Sequence, residues 1–252
     1  MTGELEFEDT FDDRALARER WLPYYLPHWS SRERSAARYR IADGLLRLQI
    51  EADQQAWCPE LDGDVRVSSL QTGAYSGPVG SAIGQHRFTP GARVREAQPN
   101  VRLYTPRYGR IELRARASDD PSVMVALWMI GYEDEPERSA EICVCEIFGR
   151  DVGQDEATVG VGLHPFGDPR TADDFARVTL PIDAREFHVY AADWTAGRVV
   201  FSVDGEPVKS VGQAPDYPMQ LMLSIYEFRH AETSRPYPKE FVVDYVRGFR
   251  LR

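Results

Sequence analysis

Two glutamates in a short apolar segment are the residues whose types and spacing are best suited to chemistry. Glu141 and Glu146 flank the residues Ile-Cys-Val-Cys, a composition that favours a β-strand. Side chains alternate faces along a regular strand, so Glu141 and Cys143 would share one face and Glu146 would lie on the other. A β-bulge, which inserts one extra residue, would return Glu146 to the face of Glu141.

Two carboxyl groups on one concave face have a defined chemical use. One can act as a nucleophile and the other as an acid/base toward a glycosidic bond when they lie about 5–5.5 Å apart. The alternative is an alternating strand that carries two solvated glutamates. The spacing E-x-x-x-x-E is common, so the segment by itself favours the solvated alternative. The elements around it must decide between the two.

The bulk composition limits the class of protein. The chain has 252 residues, of which 42% are hydrophobic, and a net charge of -10. A chain of this length can form one sizeable all-β core, so we expect a single domain over residues 1–252 and a monomer. The acidic balance disfavours nucleic acid and suits a neutral polymer or a small solute. No apolar run of about 18 residues occurs, so we expect no membrane span.

The N-terminus and the cysteines bear on the cellular compartment. Residues 1–7 contain neither a basic region nor an apolar one, so the chain as written is cytoplasmic or is a secreted protein whose signal has been removed. The three cysteines, Cys58, Cys143 and Cys145, are an odd number. A bridge between positions i and i+2 of a strand would be strained, and the surroundings supply no zinc set. We expect free, mostly buried thiols.

Strand patterns dominate the chain, and no segment has sustained helical periodicity. Residues 108–116 alternate cleanly, with apolar side chains on one face and charged ones on the other, as in a half-buried antiparallel strand. Residues 123–130 form an apolar run covered on both faces. Asp204-Gly205 predicts a type I′ hairpin. Further strands are expected within residues 39–51, 187–193, 199–203, 219–226 and 241–250. Many short strands separated by turns predict a β-sandwich.

Two segments lack strand patterns. Residues 53–100 are rich in Gly, Pro, Ser and Gln, and residues 131–140 are acidic. Loops this long are uncommon unless they are functional or disordered. The aromatic residues Trp57 and Tyr75 favour order in the first of them. We expect both segments at the rim of a cleft.

Several segments, taken in order, resemble glycoside hydrolase family 16, the laminarinase and lichenase group. They are residues 5–11 (LEFEDTF), 108–116 (YGRIELRAR), 126–131 (ALWMIG), 141–146 (EICVCE), 187–194 (FHVYAADW), 201–205 (FSVDG) and 242–247 (VVDYVR). The resemblance implies a concanavalin-like β-jelly roll of two antiparallel sheets with a concave substrate cleft. It also implies Glu141 as nucleophile, Glu146 as acid/base, an oligo- or polysaccharide substrate and no required cofactor.

Cys143 departs from the family pattern, which has an aspartate at this position that hydrogen-bonds the nucleophile. A thiol is a weak donor and carries no charge unless it ionises. Losing the like-charged neighbour would lower the pKa of Glu141, whereas losing the hydrogen bond would raise it. One interpretation is a working variant of the site. The other is a degenerate enzyme kept as a sugar-binding module. Retention of both glutamates favours activity.

The resemblance assigns further residues to the site, each with a plain structural alternative. Trp128 would stack on a sugar from the cleft floor or pack in the core. His164, one strand later, would contact sugar or be a core histidine. Glu227 would add a carboxylate near the site or be a solvated strand end. Asp244 matches a family calcium ligand or is a surface residue. The remaining candidates for the cleft wall are Trp57, Arg107 and Tyr226.

The sequence therefore predicts a retaining glycoside hydrolase acting on a β-linked glucan or similar polysaccharide. A metal site formed by His164 with the two glutamates is disfavoured, because the carboxyl pair fits glycosidase chemistry better. The alternative is a non-catalytic or weakly active carbohydrate-binding protein on the same scaffold, with Cys143 as its motivation.

Overall fold

The computed structural model describes residues 3–228 and 235–251, and β-strands dominate that part of the chain. Its helices are two four-residue segments, α1 (Arg32–Ser35) and α2 (Pro59–Asp62), with single 3₁₀ turns at Pro27–Trp29 and Gly149–Asp151. The strands are β1 (Glu4–Asp9), β2 (Arg38–Ala42), β3 (Leu45–Ile50), β4 (Arg66–Gln71), β5 (Gly73–Ala74), β6 (Val101–Arg102), β7 (Gly109–Arg116), β8 (Val123–Gly131), β9 (Glu141–Phe148), β10 (Ala157–His164), β11 (Asp174–Leu180), β12 (His188–Thr195), β13 (Arg198–Val203), β14 (Glu206–Val211), β15 (Met219–Glu227) and β16 (Lys239–Arg250).

Two antiparallel sheets form a sandwich. The larger has eight strands in the order β14-β13-β12-β7-β16-β3-β2, with β1 also paired to β16. The smaller has six strands in the order β11-β10-β9-β8-β15-β4, and β5 pairs with β6 apart from both. No helix in the described ranges is long and apolar enough to span a membrane. The predicted all-β class of two antiparallel sheets is confirmed.

The main core lies between the sheets. In β7 the side chains of Ile111, Leu113 and Ala115 are buried there, while the charged residues between them face outward. This is the alternation expected of a strand with one buried face. Each large apolar side chain fully buried in this way contributes about 1.5–3 kcal/mol relative to exposure.

The central strands of the six-stranded sheet are buried on both faces. β15 is buried along its whole length, and β8 along nearly all of it. One face packs in the main core, and the other packs in a second apolar cluster with residues that precede β2 and follow β3, among them Leu26, Trp29 and Trp57. The sheet therefore carries a floor of side chains beneath covering loops, and this floor positions the site.

Turns and loops match the sequence expectations in part. Asp204 and Gly205 have φ angles of 50° and 85° in the β13–β14 hairpin, as a type I′ turn requires. The expected strand in residues 39–51 is instead two strands, because Asp43 and Gly44 form a turn with φ angles of 58° and 68°.

The expectation that residues 53–100 contain no strand was wrong, because β4 and the two-residue β5 lie inside this segment, as does α2. The longer of the two strands, β4, shows why. This strand carries serines and glutamine and is buried at every position, so it has no alternating pattern. Its buried hydroxyl Ser69 is satisfied by Ser224 on β15 at 2.8 Å. Pairing with a neighbouring strand thus stabilises a segment whose composition favours a loop.

Candidate active site

A β-bulge in β9 places both glutamates on one face. Cys143 lies opposite Trp128 and Cys145 opposite Leu127, so Val144 between them is the extra residue. Val144 and Cys145 both face the main core. Glu141, Cys143 and Glu146 line one cavity on the other face. The bulge, which the spacing of the glutamates required, is present.

The cavity has a volume of about 300 Å³ and lies on the face of the six-stranded sheet that is turned away from the main core. This is the lower end of the range for small-molecule sites. Aromatic rings form most of its wall, and a few carboxyl groups converge in it. The lining residues are Tyr25, Trp57, Asp62, Val65, His86, Phe88, Met124, Ala126, Trp128, Glu141, Cys143, Glu146, Phe166, Tyr226 and Phe228.

The two carboxyl groups influence each other's ionisation. Burial, reinforced by the charge of Glu146, raises the pKa of Glu141 to about 8. Burial also raises the pKa of Glu146, while the nearby charges of His164, Arg177 and Arg150 oppose that rise. Because the groups interact, they titrate as a pair. Burial therefore favours the protonated form of both carboxyl groups.

Cys143 stands between the glutamates as a neutral group. Burial and the neighbouring carboxylates raise the pKa of its thiol well above the ordinary value. It is therefore protonated, and an S–H group is a weak hydrogen-bond donor. Position 143 thus adds no charge beside Glu141 and only a weak hydrogen bond.

Three of the sequence-predicted wall residues lie in the cavity. Trp128 donates its indole N–H to Ser224 at 3.3 Å, and Trp57 donates to Asp62 at 2.6 Å. Tyr226 packs edge to face against Tyr25. Both indole N–H groups thus have protein partners. Trp57 is 1% exposed and Trp128 7%, so of the two it is Trp128 that keeps some surface open to the cavity.

His164 lies at the edge of the site. It is opposite Glu141 in the β9–β10 pairing, and its Nδ1 atom is 2.6 Å from Asp173 Oδ1. Its ring stacks on Phe175 and remains partly exposed, so it is not a core histidine. It is outside the cavity lining and near enough to Glu146 to affect that carboxyl electrostatically. Its contact with sugar stays a prediction.

Two of the predicted wall residues lie elsewhere. Arg107 is placed over the ring of Tyr108 and lines a separate surface pocket. Glu227 is buried and accepts hydrogen bonds from Arg66 at 3.2 Å and from the Tyr237 hydroxyl at 2.7 Å. It is neither a cleft residue nor a solvated strand end. Both interpretations of Glu227 were wrong, because an arginine distant in sequence supplies its counter-charge.

The surroundings of Asp244 do not fit a calcium ion. Its carboxylate pairs with the guanidinium of Arg114 on the adjacent strand. In residues 3–228 and 235–251, no group of three or more acidic, histidine or cysteine side chains is arranged to hold a metal. Calcium needs six to eight oxygen ligands, so a single paired carboxylate is insufficient.

The loops bring residues to the site that the motifs did not indicate. The most important is His86, whose Nδ1 atom is 3.3 Å from Glu141 Oε1. Its ring stacks on Phe166, with centroids 4.1 Å apart, and meets Trp128 edge to face at 5.0 Å. Its backbone N–H donates to Glu133 Oε1 at 2.6 Å. From the sequence, residues 53–100 and 131–140 were expected at the rim of a cleft. That expectation covers His86 and Glu133 but does not single out either of them.

Comparison with known proteins places the chain among the glycosidases and identifies its family. The model of glycosyl hydrolases family 16 matches residues 103–247, more than half of the chain, which therefore belongs to this family. A Crh-like protein of Arthroderma benhamiae is 34% identical over 86 residues, covering 32% of this chain and 18% of that protein. A beta-glucanase of Rhodothermus marinus is 27% identical over 169 residues, 57% of each chain. The matches span less than two thirds of either relative.

Solved structures agree with this placement. A Clostridium perfringens endo-β-galactosidase that releases GlcNAcα1-4Gal is 30% identical with a TM-score of 0.85, over 98% of this chain and 62% of that chain. The laminarinase catalytic domain of Thermotoga maritima is 18% identical with a TM-score of 0.68, and all of both chains is covered. At that identity the likeness concerns the fold. The predicted family and β-jelly-roll sandwich are confirmed.

Proposed function

We propose that this chain is a retaining glycoside hydrolase that cleaves a β-linked glucan or a similar polysaccharide. The observation that carries the proposal is the bulge at Val144, by which Glu141 and Glu146 line one cavity. Membership of the glycosyl hydrolase family supports it, and both glutamates lie within the residues that match the family, 103–247.

The reaction follows from the two carboxyl groups. Glu141 attacks the anomeric carbon while the bond to the leaving oxygen breaks and Glu146 gives that oxygen its proton. Glu146, now ionised, takes a proton from water or from an acceptor sugar hydroxyl. The oxygen thus activated displaces Glu141, and the starting protonation is restored. Aromatic walls exclude bulk water and offer faces to sugar rings.

The first step requires Glu141 ionised and Glu146 protonated. Burial of the pair favours retention of one proton between them. The proton has to reside on Glu146, so groups that favour the ionised form of Glu141 contribute to the rate.

A second substrate class comes from the structural comparison. The endo-β-galactosidase superposes with a TM-score of 0.85, compared with 0.66 for a laminarinase and 0.69 for an endo-β-1,3(4)-glucanase. This favours adding β-galactosides to the candidates. The cavity of about 300 Å³ accommodates a short sugar segment, which suits recognition of a specific residue at the cleavage point.

The alternative function is non-catalytic carbohydrate binding, which the neutral Cys143 favours. Reducing-sugar release from a panel of β-glucans, xyloglucan, agar, carrageenan and β-galactosyl glycans separates the two. Release is expected, with retention of anomeric configuration by NMR. Binding without release from every member would support the alternative.

The variants Glu141→Gln and Glu240→Gln test the assignment of the nucleophile. Glu141→Gln keeps the shape and removes the nucleophile, so it should lower kcat by roughly four orders of magnitude or more. Glu240→Gln, on β16 in the other sheet, is the matched control and should retain parental activity. Activity of Glu141→Gln within a few-fold of the parent would contradict the proposal.

A further inference from the structure

The side chain of His86 faces the nucleophile from a loop. Its Nδ1 atom is buried and 3.3 Å from Glu141 Oε1, and no hydrogen bond satisfies it among the described residues. The ring is held between Phe166 and Trp128. A buried polar atom without a partner is unfavourable. A small rotation of either side chain would complete a hydrogen bond to Glu141.

The backbone of His86 is fixed in an unfavourable conformation. His86 and Glu133 have φ angles of 50° and 57°, in the left-handed region that costs non-glycine residues about 1–3 kcal/mol. The His86 amide donates to Glu133 Oε1 at 2.6 Å, which compensates part of that cost. Conformations of this kind persist where the surroundings determine the position of a side chain.

The preceding residue, Gln85, anchors the loop to the protein interior. Its side-chain amide donates to Gln220 Oε1 at 2.6 Å and to the Tyr132 carbonyl at 3.1 Å. Its own carbonyl accepts the indole N–H of Trp29 at 2.8 Å. Each of these groups is buried. His86 is therefore attached to a rigid network and holds its position opposite Glu141.

The strand that carries Glu141 offers it little stabilisation. Cys143 on the same face is a neutral thiol and a weak donor. The carboxyl group is buried, so without a donor its ionised form is disfavoured. An N–H group from the facing loop would meet this need.

We propose that His86 donates from Nδ1 the hydrogen bond to Glu141 that position 143 cannot supply, and is thus a positioning residue for the nucleophile. This inference rests on the proposed function. A neutral imidazole protonated at Nδ1 holds one oxygen of Glu141 in place and leaves the other free to attack. It favours the ionised form of Glu141, which is the form that the first step of the proposed reaction requires.

The chemistry of the ring suits a neutral donor. Burial and the nearby His28 lower the pKa of His86 to about 3. The ring is therefore uncharged where the carboxyl pair titrates, and it acts as neither a counter-ion nor a proton source. The titratable groups that face Glu141 or His86 from the surrounding elements are Tyr25, His28, Glu133, Cys143, Glu146, His164 and Tyr226.

Two substitutions separate the donor from the ring. His86→Phe keeps an aromatic ring and removes the donor, and it should lower kcat about 100-fold with KM within a few-fold. His86→Asn places an amide N–H near the former Nδ1 position and tolerates positive φ. It should lose no more than about tenfold. His188→Asn on β12 is the matched control and should retain parental kcat, since it lies in the other sheet.

The pH profile gives a readout that a structural role would not move. In His86→Phe the acid limb of kcat/KM should move to higher pH, because Glu141 loses a bond that favours its charged form. Cys143→Asp added to His86→Phe should raise kcat, since the new carboxyl group, when protonated, can donate a hydrogen bond to Glu141. The same change in the parent should lower it. An effect of Cys143→Asp on kcat that changes sign between the two backgrounds would show that positions 86 and 143 are energetically coupled.

A carbon NMR titration of Glu141 keeps the test independent of turnover. The carboxyl carbon signal of Glu141 is assigned by its absence in Glu141→Gln. The pKa of Glu141 that this signal reports should rise in His86→Phe even if no panel substrate is cleaved. An unchanged pKa, or an unchanged acid limb and kcat, in folded His86→Phe would overturn the role of His86. Full activity of Glu141→Gln would instead overturn the proposed function, so the two failures are distinguishable.

Discussion

Cys143 is the residue at which the site departs from the pattern of family 16. The structure places it beside Glu141 and Glu146 on one face, as the sequence predicted. Its buried thiol is neutral. Position 143 therefore lacks the charge that an aspartate would carry, and aromatic rings and a neutral histidine are among the neighbours of Glu141 in the cavity.

Introducing an aspartate at position 143 should lower the activity of this site. In the parent, Cys143→Asp should lower kcat and move the acid limb of kcat/KM to higher pH, because a second buried carboxylate raises the pKa of Glu141. A pH–rate profile measures this. Cys145→Ala, which alters the core side of the same bulge, should leave the acid limb in place. An unchanged profile in Cys143→Asp would show that position 143 does not act on the nucleophile.

Glu146→Ala tests the acid/base role. Removing the proton donor should slow substrates with poor leaving groups by roughly 10²–10⁴-fold, while aryl glycosides with good leaving groups should lose far less in the first step. Rates across a series of leaving groups measure this dependence. Equal losses across the series would argue against protonation of the leaving oxygen by Glu146.

At the scale of the element, the bulge in β9 determines which face Glu146 occupies. Both Val144 and Cys145 face the core, and the register with β8 is regular on either side of them. The bulge therefore adds one residue to β9 and shifts the pairing with β8 by one residue between Leu127 and Trp128. Its removal would leave Glu141, Cys143 and Glu146 at alternate positions, which also share a face.

Deletion of Val144 should consequently preserve the fold and measurable activity. The loss of one buried valine side chain should cost about 1–3 kcal/mol. Deletion of Ile142, outside the bulge, should abolish activity, because a one-residue slip reverses the face of Glu141 relative to the rest of the strand. Thermal unfolding and turnover of both deletion variants provide the measurement. Equal behaviour of the two would contradict the assignment of the bulge.

At the scale of the whole molecule, buried titratable groups couple stability to pH in two directions. Burial raises the pKa of Glu133 and of Glu141 to about 8, so the folded chain keeps protons that the unfolded chain releases above about pH 4.5. The contribution of these groups to the free energy of unfolding therefore falls as the pH rises from about 4.5 to about 8. Burial lowers the pKa of His28 and His86 to about 4 and 3, so stability also falls as pH drops below about 6.5.

Glu133→Gln should remove one of these penalties. The amide cannot ionise and its oxygen still accepts from the His86 amide. The Tm of the variant relative to the parent should therefore increase from pH 5 to pH 9, as measured by thermal unfolding across that range. Glu141→Gln should show the same trend. A Tm difference that is constant or shrinks with rising pH would contradict the burial of an ionisable Glu133.

The sequence by itself determined the strands with an apolar or alternating pattern, the hairpin at Asp204 and the possible pairing of Glu141 with Glu146. These features are local: alternation, turn residues and the spacing of two glutamates all act within a few positions. The need for a bulge followed from that spacing, and the structure contains it.

Only the tertiary structure decided what faces the carboxyl pair. His86 is distant in sequence from both glutamates, whereas Glu133 lies in the loop just before β9, and neither loop has a periodic pattern. The same long-range packing gave Glu227 a buried arginine partner and kept Arg107 away from the cleft. Such contacts depend on how separate segments close over the sheet, and no local rule specifies that closure.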